Sequence, residues 1–532
     1  MSAPASAPAR SASAFSPFGH SAFALLWTAT LVSNTGTWMH EVGAGWLMTT
    51  LNPTPSVVTL VQAATTLPVF CFALLAGALA DRWDKRRMLI VINVILATIV
   101  ATLALLVWQE KMTPALLIAF TLAIGTGAAF MAPAWQAVVP QLVPRPELKP
   151  AIALNSMGIN ISRAIGPALA GVLIASAGLA APFALNALSY LVILAALILW
   201  KPSARPVACS RPPLVAEMAT GLRHVRHNQA MVATLVRAFA FFIFASAYWA
   251  LLPLIARNAK GGGAELYGML MALIGGGAVL GALLLPRLGK SLTSDHIVRL
   301  GSVGTAAALI TLAAASSAPF LMTAALLGGM SWIAVLTSFN VSAQTALPDW
   351  VRARGLAVFL MVFFGAMALG SLVWGQSASL IGTQTTLILA ALGLTAAIPL
   401  TRKFRVGQGE TQDLSPAHSW PDAPVLTSPD HEDRATRVLV EYIIAPQDRA
   451  RFLNAIYGFA PSRLRDGAYS WTLFESVETP NLWIESFDTA SWSEHLAQHD
   501  RLSQDDAKAQ SVLQAFDQRA DGPVVRHFIA PE

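Results

Sequence analysis

The chain has 532 residues, of which 55% are hydrophobic and 12% charged, and its formal net charge is +6. Soluble domains carry about 25% charged residues, so this composition excludes an ordinary soluble protein. The small excess of positive charge is spread over short segments between apolar runs, which argues against a nucleic acid partner. The two cysteines, Cys71 and Cys209, are too few for a disulfide framework.

The amino-terminal part of the chain reads as a tail followed by membrane-spanning helices. Residues 1–20 are rich in Ala, Ser and Pro and lack the apolar core of a signal peptide, which predicts a disordered tail. A spanning helix needs about 20 mostly apolar residues. Twelve segments meet this requirement, and they predict an N-terminal six-helix bundle at 21–200, a central loop at 201–230 and a C-terminal six-helix bundle at 231–401. The predicted spans are 22–50, 57–80, 88–108, 115–140, 151–178, 181–200, 231–256, 265–288, 294–316, 319–347, 354–378 and 384–401.

The loops between these spans differ in their content of Lys and Arg. Cations concentrate in alternate loops, such as 82–87, 145–149 and 201–226, while the loops between them hold few. Loops rich in Lys and Arg stay on the cytoplasmic side of a membrane. The pattern therefore predicts a multi-pass protein of the inner (cytoplasmic) membrane, embedded in the lipid bilayer with both termini in the cytoplasm.

The carboxyl-terminal part changes in character. Residues 402–435 are rich in Pro, Ser, Asp and His and predict a linker, and residues 436–532 predict a small soluble α+β domain. Its elements, including one helix over 491–516, follow the β-α-β-β-α-β order of ferredoxin-like folds. His495 and His499 have a spacing that suits a metal, but without an evident third ligand no metal is predicted. No phosphate-binding loop is present, so no cofactor is predicted.

The segment between the second and third spans carries a dense motif, Gly77-Ala-Leu-Ala-Asp81-Arg82-Trp-Asp84-Lys85-Arg86-Arg87. It resembles the loop between helices 2 and 3 of the major facilitator superfamily, written G-x-L-A-D-R-x-G-R-[RK], with Asp84 in place of the second glycine. The alternative is a cluster of cations that only sets the orientation in the membrane. The resemblance implies a conformational latch made by Gly77, Asp81, Arg82 and Arg86.

The fifth span contains a second motif, Arg163-Ala-Ile-Gly166-Pro167-Ala-Leu-Ala-Gly171. It resembles the glycine-proline signature of helix 5 in antiporters and exporters of the same superfamily. Pro167 removes a backbone donor, while Gly166 and Gly171 permit close approach of another helix. Passive helix packing is the alternative interpretation. The two motifs resemble the branch that contains the enterobactin exporter and related drug-proton antiporters. They imply an all-α polytopic fold of twelve helices (6+6) that exports siderophores or lipophilic drugs by proton antiport.

The first span carries candidates for proton coupling. Asn34, Trp38 and Glu41 share one helical face, with His40 about 100° away. Glu41 is the only acidic residue placed well inside a span, and a carboxyl group there can bind and release a proton. Glu41 is therefore the predicted proton carrier, with His40 as a weaker candidate. A hydrogen-bonded structural carboxylate is the alternative.

Arg163 lies near the middle of the fifth span, on a stripe with Asn160. A charge inside an apolar helix is costly unless it faces water or a partner. We therefore predict a substrate cavity lined by Asn34, Trp38, Asn160 and Arg163, with a structural ion pair as the alternative.

The combined interpretation is a secondary transporter rather than an enzyme, with a small molecule and protons as its partners. Two alternatives remain: an uptake permease of the same fold, or a membrane-tethered enzyme that uses residues 436–532. The C-terminal segment is similar to antibiotic-biosynthesis-monooxygenase-like domains, which commonly dimerise. That similarity implies a homodimer formed through this domain.

Overall fold

The computed structural model describes residues 15–201, 214–417 and 432–531. Between Ser21 and Leu400, its described part contains twelve helices of 18 to 31 residues and one shorter helix. The first six are α1 (Ser21–Leu51), α2 (Pro55–Arg82), α3 (Lys85–Trp108), α4 (Pro114–Val138), α5 (Leu148–Ala177) and α6 (Ala181–Leu199). The shorter helix α7 (Leu214–His227) follows. The last six are α8 (Gln229–Asn258), α9 (Ala264–Leu288), α10 (Ser294–Ala314), α11 (Ala318–Thr345), α12 (Arg352–Ile381) and α13 (Thr383–Leu400).

These helices confirm the predicted all-α membrane fold. Every predicted span coincides with a helix, and the boundaries differ by three residues or fewer. Among the described residues, eleven helices are long and apolar enough to cross a membrane, and α1 is not one of them. The reason is its polar content, which includes Asn34, His40 and Glu41. Nevertheless, α1 packs against α5 and α6 inside the first bundle.

The N-terminal bundle is held together by interlocking apolar side chains. In addition to the contacts of α1, α2 packs on α4, and α3 packs on both α4 and α6. Because lipid tails are as apolar as leucine, such helices associate through close van der Waals packing rather than through the hydrophobic effect. The fully buried side chains at its centre include Leu26, Leu89, Val100 and Leu197.

The C-terminal domain confirms the ferredoxin-like prediction. Its elements are β1 (Thr436–Ile443), α14 (Arg449–Asp466), β2 (Ala468–Glu475), β3 (Leu482–Thr489), α15 (Trp492–Arg501), α16 (Gln504–Gln514) and β4 (Val524–Ile529). The strands form an antiparallel sheet in the order β2-β3-β1-β4. Alternate residues of β1, Val438, Val440 and Tyr442, point to one face, where they form a core with α14 and α16.

One element of this domain differs from prediction. The single helix predicted over 491–516 is divided into α15 and α16. The break occurs because Leu502 has an extended backbone and Ser503 caps the next helix, its side chain accepting a hydrogen bond from the backbone N–H of Asp506.

The chain divides into two compact units. The first comprises Met1–Cys209, Ala238–Thr337 and Leu360–Arg402, and the second comprises Ser210–Arg237, Ser338–Phe359 and Lys403–Glu532. The second unit therefore combines α7, one end each of α8, α11 and α12, and the C-terminal domain.

Candidate functional site

Two of the predicted site residues, Trp38 and Arg163, make contact where α1 packs against α5, and a third, Glu41, lies near them. The guanidinium carbon of Arg163 lies 5.2 Å from the ring centroid of Trp38, within the range of a cation–π interaction. The side chains of Glu41 and Arg163 also attract each other electrostatically, and both are half-buried. Tyr190 of α6 and Tyr267 of α9 lie near enough to Glu41 for its charge to act on their hydroxyl groups. The site thus combines an acid, a guanidinium and an indole ring inside the membrane helices.

The guanidinium of Arg163 keeps unused hydrogen-bonding capacity. Its Nε atom is buried and has no hydrogen-bond partner among the described residues. Leaving a buried donor unsatisfied typically costs about 1–3 kcal/mol. Such a donor is available to an acceptor that enters the site, such as an oxygen of a substrate.

Small residues bring α5 close enough to α1 to build this site. A Cβ atom on Gly166 would lie 2.6 Å from Cβ of Trp38 and 2.9 Å from the carbonyl oxygen of Thr35, so a side chain has no room there. One turn earlier, the Ser162 hydroxyl donates to the carbonyl oxygen of Leu31 at 3.0 Å. Gly166 of the predicted motif is thus required by the close approach of the two helices.

Two of the remaining predicted residues of this region, His40 and Asn160, contact other partners. His40 is only 5% exposed, and its ring packs edge-on against Phe183 of α6 at 4.9 Å between centroids. The Asn160 side chain donates to the carbonyl oxygen of Ser156 in its own helix at 2.9 Å. Asn34 is half-buried on α1. The structure brings together Glu41, Arg163 and Trp38, but places His40 against α6.

The rest of the helix 5 motif packs against α9. A Cβ atom on Gly268 would lie 2.7 Å from the carbonyl oxygen of Pro167 and 2.9 Å from Cα of Gly171. A Cβ atom on Gly275 would lie 3.0 Å from the carbonyl oxygen of Arg163. We call this α5–α9 contact the glycine seam, and it joins the two six-helix bundles. The sequence indicated its α5 side but not Gly268 and Gly275, because the contact joins two helices that are far apart in the chain.

A second contact between the bundles joins α2 to α12. The backbone N–H of Ser56 donates to the hydroxyl of Ser379 at 2.9 Å. Further along α2, the Phe70 ring lies so close to Gly365 of α12 that a Cβ atom on this glycine would be 2.7 Å from Cδ2 of the ring. The bundles are thus joined along two separate helix pairs.

The motif between α2 and α3 contributes helix caps. Arg86 donates from Nε to the carbonyl oxygen of Leu197 at 2.8 Å and from Nη2 to that of Ile198 at 2.9 Å, at the end of α6. Asp84, the departure from the superfamily pattern, caps α3 by accepting from the backbone N–H of Arg87 at 2.7 Å. At Gly77 a Cβ atom would meet no atom within 4 Å.

The other two predicted latch residues, Asp81 and Arg82, end α2, and their side chains lie outside the described residues. The part of the motif that is described therefore fixes the α2–α3 turn to α6. The latch itself stays a prediction.

An aromatic cluster in the C-terminal bundle was only partly visible in the sequence. Phe242 of α8 lies 4.4 Å from Phe363 of α12 and 5.3 Å from Trp332 of α11, measured between ring centroids. Trp249 lies 5.2 Å from Trp332. In the sequence, residues 239–249 of α8 are visibly rich in aromatic side chains. Trp332 and Phe363 had no such signal, because each is separated from that run by more than 80 residues.

The C-terminal domain contains a group of histidines. The Nε2 atoms of His495 and His499 are 3.2 Å apart, and the ring of His527 lies tilted against that of His495 at 4.9 Å between centroids. Burial, followed by the charges of the neighbouring histidines and Arg463, lowers the pKa of His495 to about 3. Burial, followed by His527 and Arg463, lowers that of His499 to about 4. Among the described residues, no group of three or more His, Cys, Asp or Glu is arranged to hold a metal ion.

Solved structures support the fold. A POT family transporter in complex with 5-aminolevulinic acid matches 74% of this chain and 98% of its own, with a TM-score of 0.62 and 12% identity. A bacterial homologue of the human lysosomal transporter Spinster, in an inward-facing conformation, matches 74% of this chain and 99% of its own, with a TM-score of 0.55 and 13% identity. At these identities the likeness concerns the fold alone.

Curated relatives are transporters. The staphyloferrin A transporter of Staphylococcus aureus (strain NCTC 8325 / PS 47) is 26% identical over 355 residues, which cover 66% of this chain and 88% of the relative. The multidrug efflux pump Tap of Mycobacterium tuberculosis (strain ATCC 25618 / H37Rv) is 25% identical over 388 residues, covering 70% of this chain and 90% of the pump. Macrolide efflux protein A of Streptococcus pyogenes is 24% identical over 272 residues, covering 50% and 67%. The family described as transmembrane secretion effector matches residues 12–532. The chain therefore belongs to the transmembrane secretion effector family of the major facilitator superfamily, and it is a multi-pass membrane transporter.

Proposed function

We propose that the protein exports a siderophore-like or lipophilic drug-like small molecule across the cytoplasmic membrane in exchange for protons. The observation that carries this proposal is the cluster of Glu41, Arg163 and Trp38 inside the membrane helices. Two relatives are efflux pumps and a third is a staphyloferrin A transporter, which supports export of a small molecule. The excess of Lys and Arg in alternate loops supports a cytoplasmic location of both termini.

Proton and substrate compete for this cluster in our proposal. When Glu41 is ionised, it neutralises the guanidinium of Arg163. When Glu41 takes up a proton, the guanidinium loses its counter-charge and binds an acceptor oxygen of the substrate, while the ring of Trp38 contacts an apolar part. The proton binds Glu41, and the substrate binds Arg163 only after Glu41 is protonated. Because each changes the affinity of the Glu41–Arg163 pair for the other, the proton and the substrate move in opposite directions across the membrane.

The described contacts between the bundles lie toward one end of the helices. The glycine seam lies at Arg163–Gly171 of α5 and at Ala264–Gly275 of α9, toward the end of α5 and the beginning of α9. The α2–α12 contact lies at the beginning of α2 and the end of α12. By the distribution of cations, these helix ends face the outside. In our proposal, opening of the seam exposes the cluster to the outside and releases the substrate there.

The C-terminal domain supports a homodimer in this proposal, and its ferredoxin-like sheet is consistent with a monooxygenase-like ancestry. The sheet face opposite the α14 and α16 core carries Phe474 and Phe528, which are 59% and 48% exposed. Between the two phenylalanines the same face carries the ion pairs Arg437–Asp488 and Arg526–Glu441, so in our proposal the second copy contacts exposed rings and paired charges. Light scattering of the detergent-solubilised protein tests this: we expect a dimer, and a monomer when both phenylalanines are replaced by aspartate. A monomeric wild-type chain would contradict it.

The coupling residue is tested by the variant Glu41→Gln in proteoliposomes. Glutamine keeps the shape of the protonated acid but cannot release a proton. We expect uphill, gradient-driven transport to be lost while downhill exchange survives. The matched control is Glu110→Gln, which changes an exposed acid in the turn after α3. Proton-driven accumulation at the wild-type rate in Glu41→Gln would remove this residue from the mechanism.

A further inference from the structure

The C-terminal domain and the segment before α8 form a shared interface within the second compact unit. Residues 201–230 were predicted as a loop, but the structure forms α7 there and packs it against α14 of the C-terminal domain. The turn between α11 and α12, residues 346–351, belongs to the same unit. The domain is thus packed against two other parts of the chain rather than attached through its linker alone.

A chain of charged contacts crosses this interface. Arg223 of α7 donates from Nη2 to Oε1 of Glu494 at 2.8 Å, and Arg501 donates from Nη1 to the same oxygen, also at 2.8 Å. The guanidinium carbon of Arg501 lies 4.5 Å from the ring centroid of Trp350 in the α11–α12 turn. Glu494 is only 21% exposed, so these charges are shielded from water more than those of surface pairs. The contacts therefore link α7, α15 and the α11–α12 turn.

A buried imidazole lies beneath these charges. His224 of α7 is fully buried, and its ring meets that of Trp350 edge-on at 5.2 Å. Its Nδ1 atom lies 3.9 Å from Oδ1 of Asp466 at the end of α14. In the next turn, the side chain of Asn228 donates to the carbonyl oxygen of Ala346 at 2.7 Å. The side chains of His224, Asp466 and Asn228 are buried because the C-terminal domain, α7 and the α11–α12 turn pack against one another.

We infer that the C-terminal domain is a docked brace that locks α7 against the α11–α12 turn, through Arg223–Glu494 and through Trp350. The brace is independent of the transported molecule and of the coupling ion, so it goes beyond the proposed function. α7 lies in the chain between α6 and α8, and it is therefore part of the only covalent connection between the two bundles. Fixing α7 therefore restricts the movement of the segment that connects α6 to α8.

The brace is tested by cutting the linker and measuring whether the domain stays bound. A protease site is placed within residues 418–431, a tag is placed at the amino terminus, and the cut full-length protein is held on affinity resin at physiological salt. We expect the wild-type C-terminal fragment to remain on the resin. Trp350→Ala removes the ring that Arg501 and His224 contact, and Glu494→Lys removes the carboxylate that Arg223 and Arg501 share. For each variant we expect at least about five-fold faster release of the fragment, the factor that 1 kcal/mol represents.

Two further variants separate docking from misfolding. Asp500→Lys makes the same charge change on an exposed position of α15, and we expect it to retain the fragment like the wild type. The exchange Arg223→Glu with Glu494→Lys restores opposite charges, and we expect it to slow release relative to Glu494→Lys alone. Immediate loss of the wild-type fragment, equal release from Glu494→Lys and Asp500→Lys, or no recovery in the exchange variant would each overturn the brace. None of these results depends on transport, so they are distinguishable from failure of the proposed export.

Discussion

At the scale of single residues, the central feature is the contact of Arg163 with Trp38, with the charge of Glu41 nearby. The sequence identified all three, because a lone charge in an apolar helix is conspicuous. It could not reveal that the guanidinium lies on the indole ring, since that contact depends on the distance between α1 and α5, which Gly166 sets. The sequence could not place His40 either, because its contact with Phe183 on the α6 side of α1 follows from the rotation of the helix in its bundle. Its part in proton coupling stays a prediction.

The shape of the cation at position 163 is expected to matter as much as its charge. A guanidinium is planar and stacks on an aromatic ring, whereas an ammonium is a compact point charge. We therefore expect Arg163→Lys to lower the initial transport rate roughly ten-fold, the equivalent of about 1.4 kcal/mol, and Arg163→Ala to lower it further. Arg226→Lys, at an exposed position of α7, is the control. Transport at the wild-type rate in Arg163→Lys would show that a point charge suffices.

The histidines of the C-terminal domain make its stability dependent on pH. In the folded domain the pKa values of His495 and His499 are about 3 and 4, while the unfolded chain has values near 6.5. Below pH 6.5 the unfolded chain therefore binds protons that the folded domain does not, and the free energy of unfolding falls as the pH falls toward 4. Calorimetry of the full chain at pH 7.5 and pH 5 checks this. We expect a lower melting temperature for this domain at pH 5, and a smaller difference in His499→Gln. A melting temperature that is unchanged or higher at pH 5 would contradict the assignment.

At the scale of elements, sequence periodicity and length predicted every long helix and every strand of the C-terminal domain. Elements that depend on local polar contacts were harder to predict. α7 was missed because its 14 residues carry several charges and resemble a loop, although they pack against α14. The break between α15 and α16 depends on the cap at Ser503. Likewise, the role of Arg86 as a cap of α6 involves carbonyl groups more than 100 residues away.

The glycine seam between α5 and α9 is expected to tolerate no side chain. A Cβ atom on Gly268 would meet backbone atoms, which cannot rotate away. We expect Gly268→Ala to destabilise the membrane helices by about 1–3 kcal/mol, as overpacking typically does. At Gly276 of the same helix, a Cβ atom would meet nothing within 4 Å. Gly276→Ala should therefore keep the wild-type melting temperature in detergent or raise it slightly. Equal melting temperatures for the two variants would contradict a tight seam.

At the scale of the whole molecule, two six-helix bundles are joined at α5–α9 and α2–α12, and a charged cluster lies in the first bundle. The membrane fold and the ferredoxin-like domain were both predictable from sequence. The association of the C-terminal domain with α7 was not, because the composition of the linker favours an independent domain. The contacts of Arg223 and His224 instead place α7 in one unit with it.

Export by proton antiport is tested most directly by measuring proton movement in inside-out vesicles. Vesicles from overproducing cells are acidified by respiration, and the internal acidity is followed with a quenched fluorescent amine while ethidium and a macrolide are added in turn. We expect that a transported compound releases protons from the vesicles and restores fluorescence, and that Glu41→Gln vesicles do not respond. A compound that accumulates in wild-type vesicles without restoring fluorescence, or that leaves them, would contradict it.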